Sequence, residues 1–428
     1  MSETLESRIN GIIKQFSLPK PEEDDFVKKT IELLQINQID SLNDEELFKI
    51  ILSSFNLFFF CPITSIDVQF TEACNLRCNY CFVQEKRANR FTAEMGKRAL
   101  DFMVMNSGSV DQLNYTFFGG EPLLEFDNMY EVLKYSEEVS RTTGKKIAFN
   151  ATTNGILLTE DILKKSQGKL TYLLSIDGDE ETHNKHRITK SGEGSFRNVF
   201  GKIALIKKFQ RWAGARMTVC PDTISDLYYN VDFLYRNGIN QFIVGPSIEM
   251  NWDEHALQVY EEQFRKLGEY HMAKTANGEP FRMTFFEKDP SELDCMNGVW
   301  GCWAGRNHVI ITYNGDIYPC SKFIGLESYN CPEFNLGNIF EGITNLSARE
   351  KLFNMKGHLF KACQNCPEID SCPGGCPADN YSVNRNLFVP CGTGCSMTEI
   401  NNRVLKEFLE KKKIAEETKG ILVSVPRK

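Results

Sequence analysis

The chain lacks an uninterrupted apolar run. Its longest apolar stretch, residues 50–63, is broken by Ser53, Ser54 and Asn56, which leaves it too short and too polar to span a bilayer. It also lacks an excess of positive charge: 49 lysines and arginines against 57 aspartates and glutamates give a net charge of −8. No broad electrostatic footprint for nucleic acid or an anionic membrane surface is therefore expected. The first thirty residues are charged and hold no apolar h-region, so no secretory signal is read there. Internal repeats and low-complexity segments are missing too. The expectation is a cytoplasmic protein with neither membrane nor nucleic-acid partners.

Hydrophobic residues make up 42% of the 428 and charged residues 25%, an ordinary globular mix that excludes disordered and fibrous classes. What stands out is 15 cysteines. In a large chain without a secretory signal, thiols are more often metal ligands or redox groups than a disulfide scaffold. Three sit at 74, 78 and 81, ten lie between 295 and 395, and Cys61 and Cys220 stand apart.

Residues 1–60 read as helices: Leu5, Ile9, Ile12, Ile13 and Phe16 fall at helical spacing, and two further helical segments follow. From Ser65 short apolar runs alternate with amphipathic stretches. Strands are expected at 66–70, 115–118, 147–152, 172–176, 216–220 and 241–244, with helices between them at 93–106, 129–142, 160–166, 196–212 and 227–237. A further helix is expected at 254–275. Strands each followed by a helix imply a parallel sheet, and a barrel-like sheet carries its site at the strand C-terminal ends. After about residue 285 the chain turns rich in Cys, Gly, Pro and Asn, a composition that metal clusters can staple. A last helix is expected from Glu399 to about residue 417.

The segment Thr71-Glu-Ala-Cys74-Asn-Leu-Arg-Cys78-Asn-Tyr-Cys81-Phe follows the first strand directly. Three thiolates on one short loop can hold three irons of a [4Fe–4S] cube and leave the fourth iron open. A structural zinc site wants four ligands, and no fourth Cys or His lies nearby. The motif, with Tyr80 before its last cysteine, resembles that of the radical S-adenosylmethionine (SAM) enzymes. Further family motifs recur in order: Phe118-Gly119-Gly120-Glu121-Pro122 after strand two, Thr153-Asn154-Gly155 after strand three, and Ser175-Ile-Asp177-Gly178 followed by His183-Asn-Lys-His-Arg187 after strand four. The resemblance implies that Cys74, Cys78 and Cys81 hold the SAM-binding cube. It places Tyr80, Phe82, Gly119, Gly120, Glu121, Pro122, Asn154, Ser175, Arg187 and Val219 around SAM, with Glu121 on its amino group and Val219 over its adenine. His183 and His186 read as helix-start or packing groups. The implied chemistry is reductive cleavage of SAM to a 5′-deoxyadenosyl radical that abstracts hydrogen from a substrate.

Farther on, Cys302-x12-Gly315-x4-Cys320 precedes Cys363-x2-Cys366-x5-Cys372-x3-Cys376, then Cys391 and Cys395. The pattern resembles the SPASM domain, a C-terminal extension of radical SAM enzymes with two auxiliary [4Fe–4S] clusters. Carried over, one auxiliary cluster takes Cys295, Cys302, Cys320 and Cys376. The other takes Cys363, Cys366, Cys372 and either Cys391 or Cys395, with Cys395 slightly preferred. Two zinc ribbons are the alternative for this region read alone. Cys61 and Cys220 read as buried packing thiols and Cys331 as a loop cysteine.

The implied fold is α/β: a helical extension over 1–60, a partial (β/α)6 TIM-like radical SAM core over 61–285, a SPASM domain over 286–400, and a C-terminal helix and tail over 401–428. The implied cofactors are SAM and three [4Fe–4S] clusters. The implied substrate is a ribosomally made precursor peptide or protein, given a thioether or carbon–carbon crosslink, and the electron comes from a low-potential donor of flavodoxin or ferredoxin type. Action on a small molecule or carbohydrate, or sulfatase maturation, is the alternative. Sulfatase-maturing enzymes carry an Asp directly after the cysteine where this chain has Cys320-Ser321, and their cysteine motif starts nearer the N-terminus.

Overall fold

The computed structural model describes residues 4–16, 61–83, 85–287, 302–325, 331–353 and 357–424, together with residues 27, 44, 47, 48, 51 and 355. Cys295 and most of the second and third helices expected before residue 60 lie outside them. In chain order the strands are β1 (Ser65–Thr71), β2 (Gln112–Gly119), β3 (Lys146–Thr153), β4 (Leu170–Ser175), β5 (Gly214–Val219), β6 (Gln241–Pro246), β7 (Arg282–Met283), β8 (His308–Ile311), β9 (Asp316–Tyr318), β10 (Gly337–Asn338) and β11 (Gly342–Ile343). The helices are α1 (Leu5–Ile13), α2 (Ala93–Asn106), α3 (Phe126–Thr143), α4 (Glu160–Lys165), α5 (Glu180–His186), α6 (Phe196–Phe200), α7 (Lys202–Lys207), α8 (Leu227–Arg236), α9 (Glu254–Ala276), α10 (Leu346–Phe353), α11 (Pro377–Asn384) and α12 (Gly392–Ser424). The expected alternation of strands and helices is present.

The chain divides into two compact units: Met1–Ala73, Phe82–Asn150 and Pro290–Cys391 in the first, and Cys74–Cys81, Ala151–Asp289 and Gly392–Lys428 in the second. In the first, β1 pairs in parallel with β2 on one side and with β8 on the other. The antiparallel strands β9, β10 and β11 continue from β8. Ile66, Val68 and Phe70 alternate along β1 and are fully buried, as a half-buried strand requires. Phe70 packs its ring 5.0 Å from Phe117 of β2 and 5.4 Å from Phe91. Gly96 lets α2 lie close to α3, because a Cβ there would sit 2.5 Å from Val132 Cγ2.

The second unit holds the parallel ladder β4–β5–β6–β7. Helices α9 and α12 run alongside each other. Glu261, Arg265 and Glu269 recur every four residues on α9. They pair with Arg403, Glu407 and Lys411, each 142 residues later, which fixes a parallel alignment. Such exposed pairs set register more than stability.

The expected helix over 196–212 is two short ones. The chain leaves the helix after Lys207, and Gln210 bonds both backbone groups of Tyr172 on β4. The last helix begins at Gly392, seven residues earlier than expected, and runs to Ser424. Strands β7 to β11 were not legible in the sequence, since runs of two to four residues show no period.

Candidate active site

Each motif falls at the carboxyl end of its strand: the cysteine loop after β1, the glycine pair at the end of β2, Asn154 after β3, Ser175 at the end of β4 and Val219 at the end of β5. Parallel pairing puts such ends on one edge of each ladder, where backbone groups and loops are free to build a site.

In the first unit the glycine pair is required by backbone packing. Gly119 has φ +144°, a region open to glycine. Gly120 donates its N–H to Thr71 O at 2.8 Å, and Glu121 donates to Ala73 O at 2.9 Å. A Cβ on Gly119 would lie 2.3 Å from Thr71 O and one on Gly120 2.2 Å from Ala73 O. The missing side chains thus first admit the backbone leaving β1. Glu121 is buried, and its Oε1 accepts from Leu123 N at 3.1 Å, capping the turn opened by Pro122. Phe82 lies against Gly325, whose Cβ would meet Phe82 O at 2.7 Å.

In the second unit the cysteine loop 74–81 is laced to the segment that carries Arg187. Arg77 N donates to Ile188 O at 2.7 Å and Asn79 N to His186 O at 3.1 Å. Asn154 Nδ2 donates to Asn75 Oδ1 at 2.7 Å and lies 3.9 Å from Cys74 Sγ. Burial pushes the Cys78 thiol up to about 11, and neighbouring Asp177, Cys81 and Cys74 add to the shift against an opposing Arg187. Cys78 therefore lies close enough to Cys74 and Cys81 to feel their charge.

Asp177 is the centre of this unit's polar network, and the sequence reading gave it no role. It is 5% exposed. Burial alone would raise its carboxyl, but Arg187 and Tyr80 more than reverse this and hold it below the usual range. Arg187 reaches it with Nε at 2.8 Å and Nη2 at 2.9 Å, Tyr80 Oη at 2.5 Å and Thr218 N at 2.8 Å. The signal that could have found it is the buried arginine ten residues on, which needs an anion. His183 and His186 are buried on α5, as expected of packing groups. His183 Nε2 sits 2.9 Å from Ser195 Oγ, and burial pushes its pKa down to about 3. Ser175, 8% exposed, pairs through its backbone with β5, and its Oγ makes no hydrogen bond among the described residues, while Val219 is buried at the end of β5.

The later cysteines also gather. Burial pushes Cys320 up to about 12, with Cys302 beside it adding to the shift. Cys376 is raised as well, by burial and then by Asp379, against Lys322 and with further contributions from Cys320 and Cys302. Cys372 is raised by burial and feels Cys366. Asn380, fully buried on α11, staples this region: its Nδ2 donates to Gly374 O and Leu387 O, and its Oδ1 accepts from Cys391 N. Cys395 lies on α12. Cys220 is buried as expected, Cys61 is half-buried rather than buried, and Cys331 is a buried thiol.

These donor sets fit clusters better than single zinc ions. Among the described residues, the one group of three or more metal-binding side chains with ligand atoms all within 4.8 Å is His186, Cys220 and Asp222. Neither cysteine set is drawn up to the ~4 Å sulfur spacing that one tetrahedral zinc imposes. All described cysteines are free thiols, and three on one loop, coupled to one another, suit a larger inorganic core. No described helix is long and apolar enough to cross a membrane.

The family model of the radical SAM superfamily matches residues 68–234, and that of the SPASM iron–sulfur cluster-binding domain matches residues 302–367. A serine-type anaerobic sulfatase-maturating enzyme of Bacteroides thetaiotaomicron is 26% identical over 350 residues, which cover 72% of this chain and 81% of that one. Among solved structures, native anSMEcpe with bound AdoMet and peptide is similar at a TM-score of 0.63 and 20% identity, covering 82% of this chain and 98% of that one. SuiB of Streptococcus suis bound to its precursor peptide SuiA is similar at 0.57 and 19% identity, covering 90% and 92%.

Proposed function

We propose that this chain, which belongs to the radical SAM superfamily and carries a C-terminal SPASM domain, is a maturase that modifies a ribosomally made peptide or protein. The enzyme class and the α/β radical SAM fold stand on the two domain matches. So do the cofactors: SAM with a [4Fe–4S] cluster, and further iron–sulfur clusters in the SPASM domain. The peptide substrate is the step beyond. It is carried by one observation: a full radical SAM core and a gathered second cysteine region lie in one chain, the architecture of the two peptide-bound structures it resembles.

In this reading Cys74, Cys78 and Cys81 hold the SAM cube. Cys302, Cys320, Cys376 and Cys295 hold one auxiliary cluster, and Cys363, Cys366, Cys372 and a late cysteine hold the other. When bound, the cube and SAM supply one-electron reductive cleavage and a carbon-centred hydrogen abstractor. The chain's own groups bind and orient. Ser175 Oγ, without a hydrogen bond among the described residues, and Arg187 would receive the SAM carboxylate, and Glu121 would receive the amino group. Val219 offers an apolar wall to the adenine. Closing a thioether or carbon–carbon bond removes two hydrogens from the peptide. One would leave as a hydrogen atom taken up by the SAM-derived radical and the other as a proton, and an auxiliary cluster held by Cys363, Cys366 and Cys372 would supply the acceptor for the remaining electron. A flavodoxin or ferredoxin type donor supplies the electron that starts each turnover.

The test is co-expression with the short open reading frame encoded nearest the gene, followed by mass spectrometry of that peptide. A loss of two hydrogens per new bond is expected. An unchanged peptide in cells where the enzyme carries its iron contradicts the peptide reading. Sulfatase-type maturation is the second reading, favoured by the 26% identical relative. A sulfatase-derived peptide offered in parallel separates the two.

A further inference from the structure

Asp177 lies where the cysteine loop, the end of β4, the segment after α5 and β5 meet, yet it can do no chemistry itself. A carboxylate has two oxygens and about four lone-pair sites. Oδ2 accepts from Tyr80 Oη at 2.5 Å and Arg187 Nε at 2.8 Å. Oδ1 accepts from Arg187 Nη2 at 2.9 Å and Thr218 N at 2.8 Å. Every acceptor site is filled, so no lone pair remains to take a substrate proton or to touch a ligand. A saturated buried carboxylate of this kind fixes its donors in place.

The donors themselves matter. Tyr80 stands between Cys78 and Cys81, so its hydroxyl ties the cysteine loop to the end of β4. Thr218 N ties the other oxygen, Oδ1, to β5. Arg187 is 6% exposed, and its guanidinium lies 5.4 Å from the centre of the Tyr80 ring. Its Nε and Nη2 are spent on Asp177, and Nη2 also reaches Arg216 O at 3.4 Å. Nη1 forms no hydrogen bond among the described residues. The fork that Arg ordinarily offers to a carboxylate is therefore already closed on Asp177, leaving one nitrogen to face outward.

We propose that Asp177 is a positioning residue: it locks the Tyr80 hydroxyl and the Arg187 guanidinium into one block, so that the cysteine loop and the Nη1 edge of Arg187 hold a fixed spacing for SAM. The assignment rests on the reading that Cys74, Cys78 and Cys81 carry the SAM cube and that Arg187 contacts SAM. Under it, Asp177→Asn frees Arg187 from a charged partner, and the Asn amide turns a donor toward donors. Tyr80→Phe removes a single hydroxyl and keeps the ring.

The experiment uses the full chain with its clusters, reduced under anaerobic conditions, and titrates SAM itself. The readout is the change in the electron paramagnetic resonance spectrum of the reduced protein as SAM binds, with iron content measured on the same sample. Asp177→Asn is expected to keep wild-type iron and to need about ten- to a hundredfold more SAM for half of the spectral change, the worth of a charged hydrogen-bond pair. Tyr80→Phe is expected to shift the midpoint in the same direction by about fivefold. A merely structural role would lower iron content or solubility without moving the midpoint of the surviving protein. If Asp177→Asn does not yield soluble protein, the Tyr80→Phe midpoint decides. A wild-type midpoint in Tyr80→Phe, or in iron-loaded Asp177→Asn, overturns the proposal and leaves the site reading intact. Absence of any SAM-dependent change in the wild type overturns the site reading itself, and with it the proposal.

Discussion

Gly120→Ala adds one carbon to a backbone that has no room for it. The new Cβ would lie 2.2 Å from Ala73 O, 2.6 Å from Ala73 C and 2.7 Å from Glu72 O, all main-chain atoms that cannot rotate aside. Reaching even 3.0 Å requires the strand ends to part by about 0.8 Å. The same oxygen accepts from Glu121 N at 2.9 Å, so that parting stretches the bond to about 3.7 Å, beyond a hydrogen bond. Leaving a buried donor and acceptor unpaired costs about 1–3 kcal/mol, or roughly 3–10 °C of Tm in a domain of this size. Glu121 moves with its nitrogen. A displacement near 1 Å at a substrate-positioning group can cost about a hundredfold in rate. The control is Gly201→Ala, at helical φ −60° with nothing within 4 Å of its Cβ, which is expected to be neutral or slightly stabilising. Differential scanning fluorimetry and 5′-deoxyadenosine formation, measured side by side under anaerobic conditions, check both halves. A Gly120→Ala protein with wild-type Tm and wild-type SAM cleavage would refute the packing argument.

Changing Cys74, Cys78 and Cys81 together to Ala is expected to abolish 5′-deoxyadenosine formation while about two-thirds of the iron stays, three cubes falling to two; retained cleavage would contradict the ligand assignment. Cys363→Ala with Cys366→Ala is expected to leave some SAM cleavage and no crosslinked peptide, counted in one reaction. Normal product yield would make that auxiliary cluster dispensable. Stability is expected to fall with acid through His183, whose folded pKa of about 3 lies below its ordinary 6.5. That contribution is complete above pH 6.5 and is lost as pH drops toward 3. Between pH 7 and pH 5 it amounts to about 2 kcal/mol, so the Tm drop over that range should be smaller in His183→Gln.

The α/β alternation was legible because β1 to β6 each run six to eight residues with apolar or alternating stretches. The cysteine loop, Gly119-Gly120, Asn154 and Ser175 were legible because short-range spacing carries them. Asp177 was not, because its meaning depends on Tyr80 and Thr218, 97 and 41 residues away. Its own neighbourhood, Ser-Ile-Asp-Gly, marks a motif after β4 but does not say which groups the aspartate holds. The role of Gly120 was legible only in part: sequence shows that a side chain is missing, whereas the backbone of Ala73 shows what occupies the space. The later region shows no periodic core pattern in the sequence, yet Phe323, Phe334 and Ile317 are buried there. These side chains are scattered over 3-10 turns and a three-residue strand, so no periodicity reports them.

If this chain uses SAM to make a radical at the Cys74–Cys78–Cys81 site and spends it on a peptide, one anaerobic reaction holding reduced, iron-loaded protein, SAM and the candidate precursor peptide shows both halves at once. With 5′-deoxyadenosine and peptide mass followed together, 5′-deoxyadenosine is expected to accumulate and a peptide lighter by two hydrogens to rise with it. Iron-loaded, reduced protein that forms no 5′-deoxyadenosine, with or without peptide, would contradict that reading.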